Sequence, residues 1–183
     1  PNISTKNLSA DDVIIVSRDI GRHGAAILMA REGLELESDL TSDCASLWPM
    51  VEQLIAANIP IHAMRDATRG GLAAVLNEWA KASNVGINLI EKEIPIADEV
   101  KGLCELFGFE AHDLANEGTF VIALPREAAD GAVEILQRYG HCEKACIIGN
   151  VVETHLGKVV LTTPWGSHRY LDLPQGELLP RIC

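Results

Sequence analysis

The sequence predicts an α+β fold: a β-sheet flanked by helices, ending in an extended C-terminal arm. Three observations carry this. Short β-branched runs alternate with stretches that are apolar at helical spacing, so a sheet must receive helices on its faces. Glycine clusters punctuate the strand-to-helix turns. The last ten residues hold Pro174, Gly176 and Pro180 with no periodicity. Alternation alone suits several α/β layouts equally well.

Along the chain, Val13-Ile14-Ile15-Val16 reads as a buried strand. Gly21-Arg22-His23-Gly24 ends it, and residues 25–32 read as a helix. Residues 46–58 form a second, with Leu47, Met50, Val51 and Leu54 on one face. Residues 59–64 read as a strand. After Gly70-Gly71 comes the strongest helix, with Leu72, Val75, Leu76, Trp79 and Ala80 at i, i+3, i+4, i+7, i+8. Residues 85–90 are a strand, with a bulge expected at Gly86. Residues 98–107 are a helix and residues 119–124 a strand. A helix over residues 126–139 stops at Gly140. Residues 146–152 and 158–163 are expected to pair through a turn at Leu156-Gly157. Residues 168–173 add a last strand. Prolines fix φ and remove donors, so residues 174–183 are a tail and residues 1–173 the domain. The eleven residues beyond Asp172 reach at most about 36–40 Å, far enough to carry the terminal Cys183 to a distant site.

Composition narrows the function. The 183 residues are 48% hydrophobic and 22% charged, a globular balance that excludes wholesale disorder. The net charge is −11 and the basic residues are scattered, which argues against nucleic acid. The longest apolar run is the six residues 25–30, against the ~20 of a membrane span. No membrane partner is expected. Pro1 is neither an initiator Met nor the start of a signal peptide, as in a piece of a longer protein. Five cysteines at irregular spacing read as reduced thiols in a cytoplasmic compartment. The six histidines show no metal spacing, and Cys142 and Cys146 have three residues between them with no second pair, so no metal site is expected.

Four stretches can carry chemistry. Asp66-Ala67-Thr68-Arg69-Gly70-Gly71 precedes a helix, where free N–H groups and the dipole favour an anion. Asp66 can hold Mg²⁺ or an amine, Arg69 can meet phosphate, and the glycines allow close approach. Alternatively, Asp66 or Thr68 simply caps the helix. Glu117 beside Gly118 can act as a general base or be an exposed turn carboxylate. The residues 18–24 turn can bind an anion or present His23, although a lone histidine is commonly structural. Cys183, after Pro180-Arg181-Ile182, is a nucleophile at the end of an arm, or an incidental terminal cysteine.

Together these residues resemble the C-terminal half of the HypE family of hydrogenase maturation factors. The motifs are Asp19-Ile20-Gly21-Arg22-His23-Gly24, Arg65-Asp66-Ala67-Thr68-Arg69-Gly70-Gly71-Leu72, Asn116-Glu117-Gly118-Thr119 and Pro180-Arg181-Ile182-Cys183. They follow the family's order and cover nearly the whole chain. The Asp-x-Thr-x-Gly-Gly element is shared with the wider aminoimidazole ribonucleotide (AIR) synthetase-like, or PurM-like, superfamily. The terminal Pro-Arg-Ile-Cys narrows the match to HypE.

The resemblance implies a mixed sheet in an α/β/α arrangement, as in PurM-like C-terminal domains. It implies an ATP-dependent carbamoyl dehydratase with Cys183 as carrier thiol. The carbamoyltransferase HypF would load it, and the thiocyanate would pass to the HypC–HypD complex as a cyanide ligand for the [NiFe]-hydrogenase iron. Glu117 matches a position proposed as the base, and His23 would position the adduct. Asp66, Thr68, Arg69, Gly70 and Gly71 would border the phosphates of Mg²⁺-ATP. The family's N-terminal domain supplies the homodimer interface and most of the Mg²⁺-ATP carboxylates. Nothing in this sequence resembles that half, so this chain alone is expected not to hydrolyse ATP. Half of an AIR synthetase, selenophosphate synthetase or thiamine-monophosphate kinase is an alternative that leaves the terminal cysteine unused. A non-catalytic docking domain is another.

Overall fold

The computed structural model describes residues 2–33 and 39–173. The arm and Cys183 lie outside the described residues.

Among the described residues seven strands form one sheet. They are β1 (Val13–Val16), β2 (Ala63–Asp66), β3 (Gly86–Ile90), β4 (Phe120–Leu124), β5 (Cys146–Val152), β6 (Val159–Thr162) and β7 (His168–Tyr170). Their spatial order is β2-β4-β1-β5-β3-β6-β7. β3 and β6 pair in parallel and the other neighbours are antiparallel, so the sheet is mixed. The described residues also form five α-helices: α1 (Arg22–Glu32), α2 (Trp48–Ala56), α3 (Gly71–Ser83), α4 (Asp98–Phe107) and α5 (Ala129–Gln137).

β1 explains the layering. All four of its residues are fully buried, as a strand covered on both faces requires. Ile14 and Val16 pack with Leu72, Leu76 and Trp79 of α3. Val13 and Ile15 point the opposite way, into Met50 and Leu54 of α2 and Leu136 of α5. A smaller cluster joins Ala25 of α1 to Val100 and Leu103 of α4 and to Leu114. That third cluster fixes the start of α1 against residues 111–114, which lead into Glu117.

Several sequence expectations are corrected. β5 and β6 do not pair: β3 lies between them, because its alternating Ile87 and Leu89 are needed in the α3 core. The irregularity expected at Gly86 lies instead in the β1–β5 ladder, where the register shifts between Ile14 and Ile15. Gly86 serves close packing, since a Cβ there would collide with the Thr154 carbonyl. β2 begins at Ala63 rather than residue 59. Residues 59–62 lead into it, and the strand continues to Asp66 opposite Phe120. α1 starts three residues earlier than periodicity suggested, because left-handed Gly21 starts the helix. Residues 126–128 form a 3₁₀ turn ahead of α5. β7 stops at Tyr170. Among the described residues, no helix is long and apolar enough to cross a membrane.

Candidate functional site

Three of the quoted motifs meet at one buried side chain. Asn116 has no exposed surface. Its Oδ1 accepts the Gly21 N–H at 2.7 Å. Its Nδ2 donates to the Ala67 carbonyl at 2.8 Å and to the Leu114 carbonyl at 3.1 Å. The start of α1, the loop before α3 and the turn carrying Glu117 are thereby tied together. β2 and β1, on either side of β4 in the sheet, deliver the first two loops to the same end.

α1 and α3 begin alike. Gly21 (φ 84°) and Gly70 (φ 69°) occupy the left-handed region at the N-cap, and among the described residues no side chain caps either helix. Neither Asp66 nor Thr68 therefore caps α3, so the capping alternative falls. Asp66 and Arg69 are exposed, and Thr68 and Gly70 are partly so. Gly71 is buried, and a Cβ on it would collide with the His112 and Leu114 carbonyls. Its missing side chain is thus taken up by protein backbone.

The residues 18–24 turn is partly ion-paired within itself. Asp19 is buried, accepts Arg22 Nε at 2.6 Å and lies 3.5 Å from Arg18 Nε. Arg18 and Arg22 share this one carboxylate, so the turn keeps a net positive charge. His23 Nδ1 lies 2.9 Å from Ser42 Oγ, which also accepts the Cys44 N–H.

Glu117 is exposed, and its carboxylate makes no hydrogen bond among the described residues. Its backbone is fixed instead. The Glu117 and Gly118 N–H groups each donate at 3.0 Å to the buried Asp43 carboxylate, and Thr119 Oγ1 donates to it at 2.8 Å. A side chain at Gly118 would collide with the Asp43 carbonyl. Thus Gly118 makes room for Asp43.

The candidate residues among those described are gathered at one end of the sheet, though no hydrogen bond joins the Glu117, His23 and Asp66 side chains directly. They communicate through Asn116, Ser42 and Asp43. Sequence reading gave these three no role. The polar run Thr41-Ser42-Asp43 just ahead of an apolar helix was the available signal. Among the described residues no three His, Cys, Asp or Glu side chains converge as a metal cage. Exposed Asp66, exposed Arg69 and the uncapped start of α3 fit the border of a phosphate chain.

The thiols are sharply divided. Burial pushes Cys104, Cys142 and Cys146 up to about 11, with Glu110 and Asp113 adding to the effect at Cys104 and Glu93 at Cys146. These three are poor nucleophiles near neutrality. Cys44 is exposed.

Comparison with known proteins shows the family to which the chain belongs. The family described as AIR synthase related protein, C-terminal domain, matches residues 9–162. The carbamoyl dehydratase HypE of Escherichia coli K12 is 46% identical over 179 residues, which are 97% of this chain and 52% of that protein. The chain therefore spans about half the length of this curated relative. A crystal structure of the hydrogenase maturation protein HypE in complex with ATP superposes with TM-score 0.93 at 37% identity. It covers 99% of this chain and 55% of that one. A HypE–HypF complex matches with TM-score 0.89 at 38% identity, over 94% of this chain and 56% of that one. A thiamine monophosphate kinase, AaThiL, complexed with AMPPCP and TMP, shares the fold alone: TM-score 0.62 and 19% identity, over 87% of this chain and 50% of that one.

Proposed function

We propose, from the premise that this chain belongs to the AIR synthase related C-terminal domain family, that it is the C-terminal half of a HypE-type carbamoyl dehydratase. In this reading Cys183 carries a carbamoyl group on sulfur, received from a HypF-type carbamoyltransferase. The HypE–HypF complex among its structural neighbours supports that partner. The product thiocyanate is handed to a HypC–HypD-type acceptor as cyanide for [NiFe]-hydrogenase iron. Homodimerisation and most of the Mg²⁺-ATP contacts belong to the other half of the protein. The reduced cysteines suit a cytoplasmic setting.

The chemistry accounts for the residue types. The amide oxygen of an S-carboxamide is a poor leaving group. ATP phosphorylates it, and phosphate then departs with that oxygen. A base takes the remaining N–H proton as the C≡N bond completes. Carboxamide plus ATP thus gives thiocyanate, ADP and phosphate. Glu117 is the base and His23 positions the adduct. Asp66, Thr68, Arg69 and Gly70 border the phosphate chain from the start of α3, while Gly71 shapes the loop from beneath. Pro174 and Gly176 belong to the arm that brings Cys183 in and returns it for delivery.

One observation carries the reading: Glu117 has an exposed carboxylate, unbonded among the described residues, on a backbone held by Asp43. That is what a base must be, fixed in place and free to take a proton. The test is Glu117→Gln in the full-length protein. Carbamoyl loading of Cys183 should persist, while ATP-dependent dehydration falls by about 10²-fold or more. Dehydration at the wild-type rate would remove Glu117 from the mechanism.

A further inference from the structure

Asp43 is 1% exposed, yet it belongs to a stretch, residues 39–47, with no regular secondary structure. A buried carboxylate is costly unless its oxygens are paired. Here the pairing is complete and one-sided. Oδ1 accepts the Glu117 N–H, and Oδ2 accepts the Gly118 N–H and the Thr119 hydroxyl. Arg18 adds a 3.4 Å donation to the Asp43 carbonyl. Two successive N–H groups beside a hydroxyl form the kind of concavity that binds phosphate. In this protein an internal carboxylate fills it, so residues 117–119 cannot also hold a nucleotide phosphate there. The preceding residue, Ser42, touches the other side of the site through His23. Adjacent residues on one strand of chain therefore meet both the Glu117 turn and the His23 ring.

We infer that Asp43 is a positioning residue for dehydration, holding the Glu117 backbone still while leaving its carboxylate free. The inference rests on reading Glu117 as the base. Charge-assisted hydrogen bonds are short and strong, and a three-donor clamp restricts the turn more than neutral partners would. Small displacements of a reacting group cost large factors in rate. Asp43→Asn keeps the size of the side chain but puts an NH₂ where an acceptor is required. At least one of the donors facing it then loses its partner.

The experiment uses the full-length protein with its carbamoyl-transfer partner, carbamoyl phosphate and ATP. Intact mass spectrometry follows loading of Cys183 and dehydration as separate steps, and melting curves give the folded fraction. For Asp43→Asn, loading should stay within about twofold. The kcat of dehydration per folded molecule should fall about tenfold or more, with KM for ATP nearly unchanged. Thr119→Val, which removes one donor at constant shape, should slow the same step, and Thr119→Ser should rescue it. Wild-type dehydration per folded molecule in Asp43→Asn, with only the melting point lowered, overturns the proposal. Should that variant not fold, Thr119→Val decides it on the same rate. Glu117→Gln in parallel separates the two claims. If it is inactive while Asp43→Asn is not, the base stands and the positioning role fails. If Glu117→Gln dehydrates normally, the base reading itself fails.

Discussion

The Nδ2 of Asn116 donates to the carbonyl of Ala67 at 2.8 Å, forty-nine residues away in sequence. With the Gly21 N–H bound on its Oδ1, this amide is the joint between the start of α1 and the loop before α3. Donor and acceptor ends are both used, so the side chain is held in one orientation.

Asn116→Ala should leave the Gly21 N–H without an acceptor inside the protein. The expected loss is about 2–4 kcal/mol, or a melting point lowered by about 5–15 °C for a domain of this size. Differential scanning calorimetry checks it. A change within a degree or two would mean that water or a backbone shift replaces the joint.

Gly118→Ala should be worse than its one methyl group suggests. The new Cβ meets the backbone carbonyl of Asp43, which cannot rotate aside as a side chain would. The Asp43 segment must retreat, and the clamp on Glu117 opens. We expect lowered stability by about 1–3 kcal/mol together with lost dehydration. By contrast, Gly102→Ala on α4, where nothing lies near the added methyl, should be neutral or slightly stabilising. Parallel urea titrations of the two variants test the contrast.

Much of this architecture was legible in sequence. α3 showed its five apolar positions at helical spacing, and α4 fell on the residues predicted. β1 and β5 were likewise found where β-branched residues cluster. Strand order was not legible. β3 enters between β5 and β6 through contacts that pair distant residues, and no local pattern encodes them. At the site, Glu117, His23 and the loop before α3 stood out because glycines and charged residues adjoin there. Asp43 and Ser42 did not, because an Asp in a polar loop reads as solvated. Only its three donors, at positions 117–119, reveal it as buried.

Thiol chemistry should be confined. With Cys104, Cys142 and Cys146 pushed up to about 11, only about 0.1% of each is thiolate at pH 8. Brief alkylation of the native protein, read by peptide mass spectrometry, should therefore mark exposed Cys44 ahead of these three, which should react only after denaturation. Rapid labelling of Cys142 in the native state would show that the α2–α5 face opens readily.

Acid should weaken the protein at a particular ion pair. The His112 ring, 3.5 Å from Glu110, and Arg169 together hold the Glu110 carboxyl down from 4.5 to about 2. A lowered carboxyl value stabilises the fold above 4.5, and that contribution is lost as pH falls from 4.5 toward about 2. The Glu110 side chain is half exposed, so salt should reduce the effect. Glu110→Gln should be less stable than wild type at neutral pH, and the gap should close across that acid range. Urea midpoints measured against pH would show it. A gap independent of pH would assign Glu110 a packing role only.

Cys183 as the carrier thiol is tested most directly by the mass the protein gains. The full-length protein, as wild type and Cys183→Ala, is incubated with the carbamoyltransferase, carbamoyl phosphate and ATP, and intact masses are recorded with time. The account predicts a carbamoyl-sized gain on wild type that then loses the mass of water, and neither change in the variant. An adduct that forms equally on Cys183→Ala, or no adduct while the transferase is active, would contradict it.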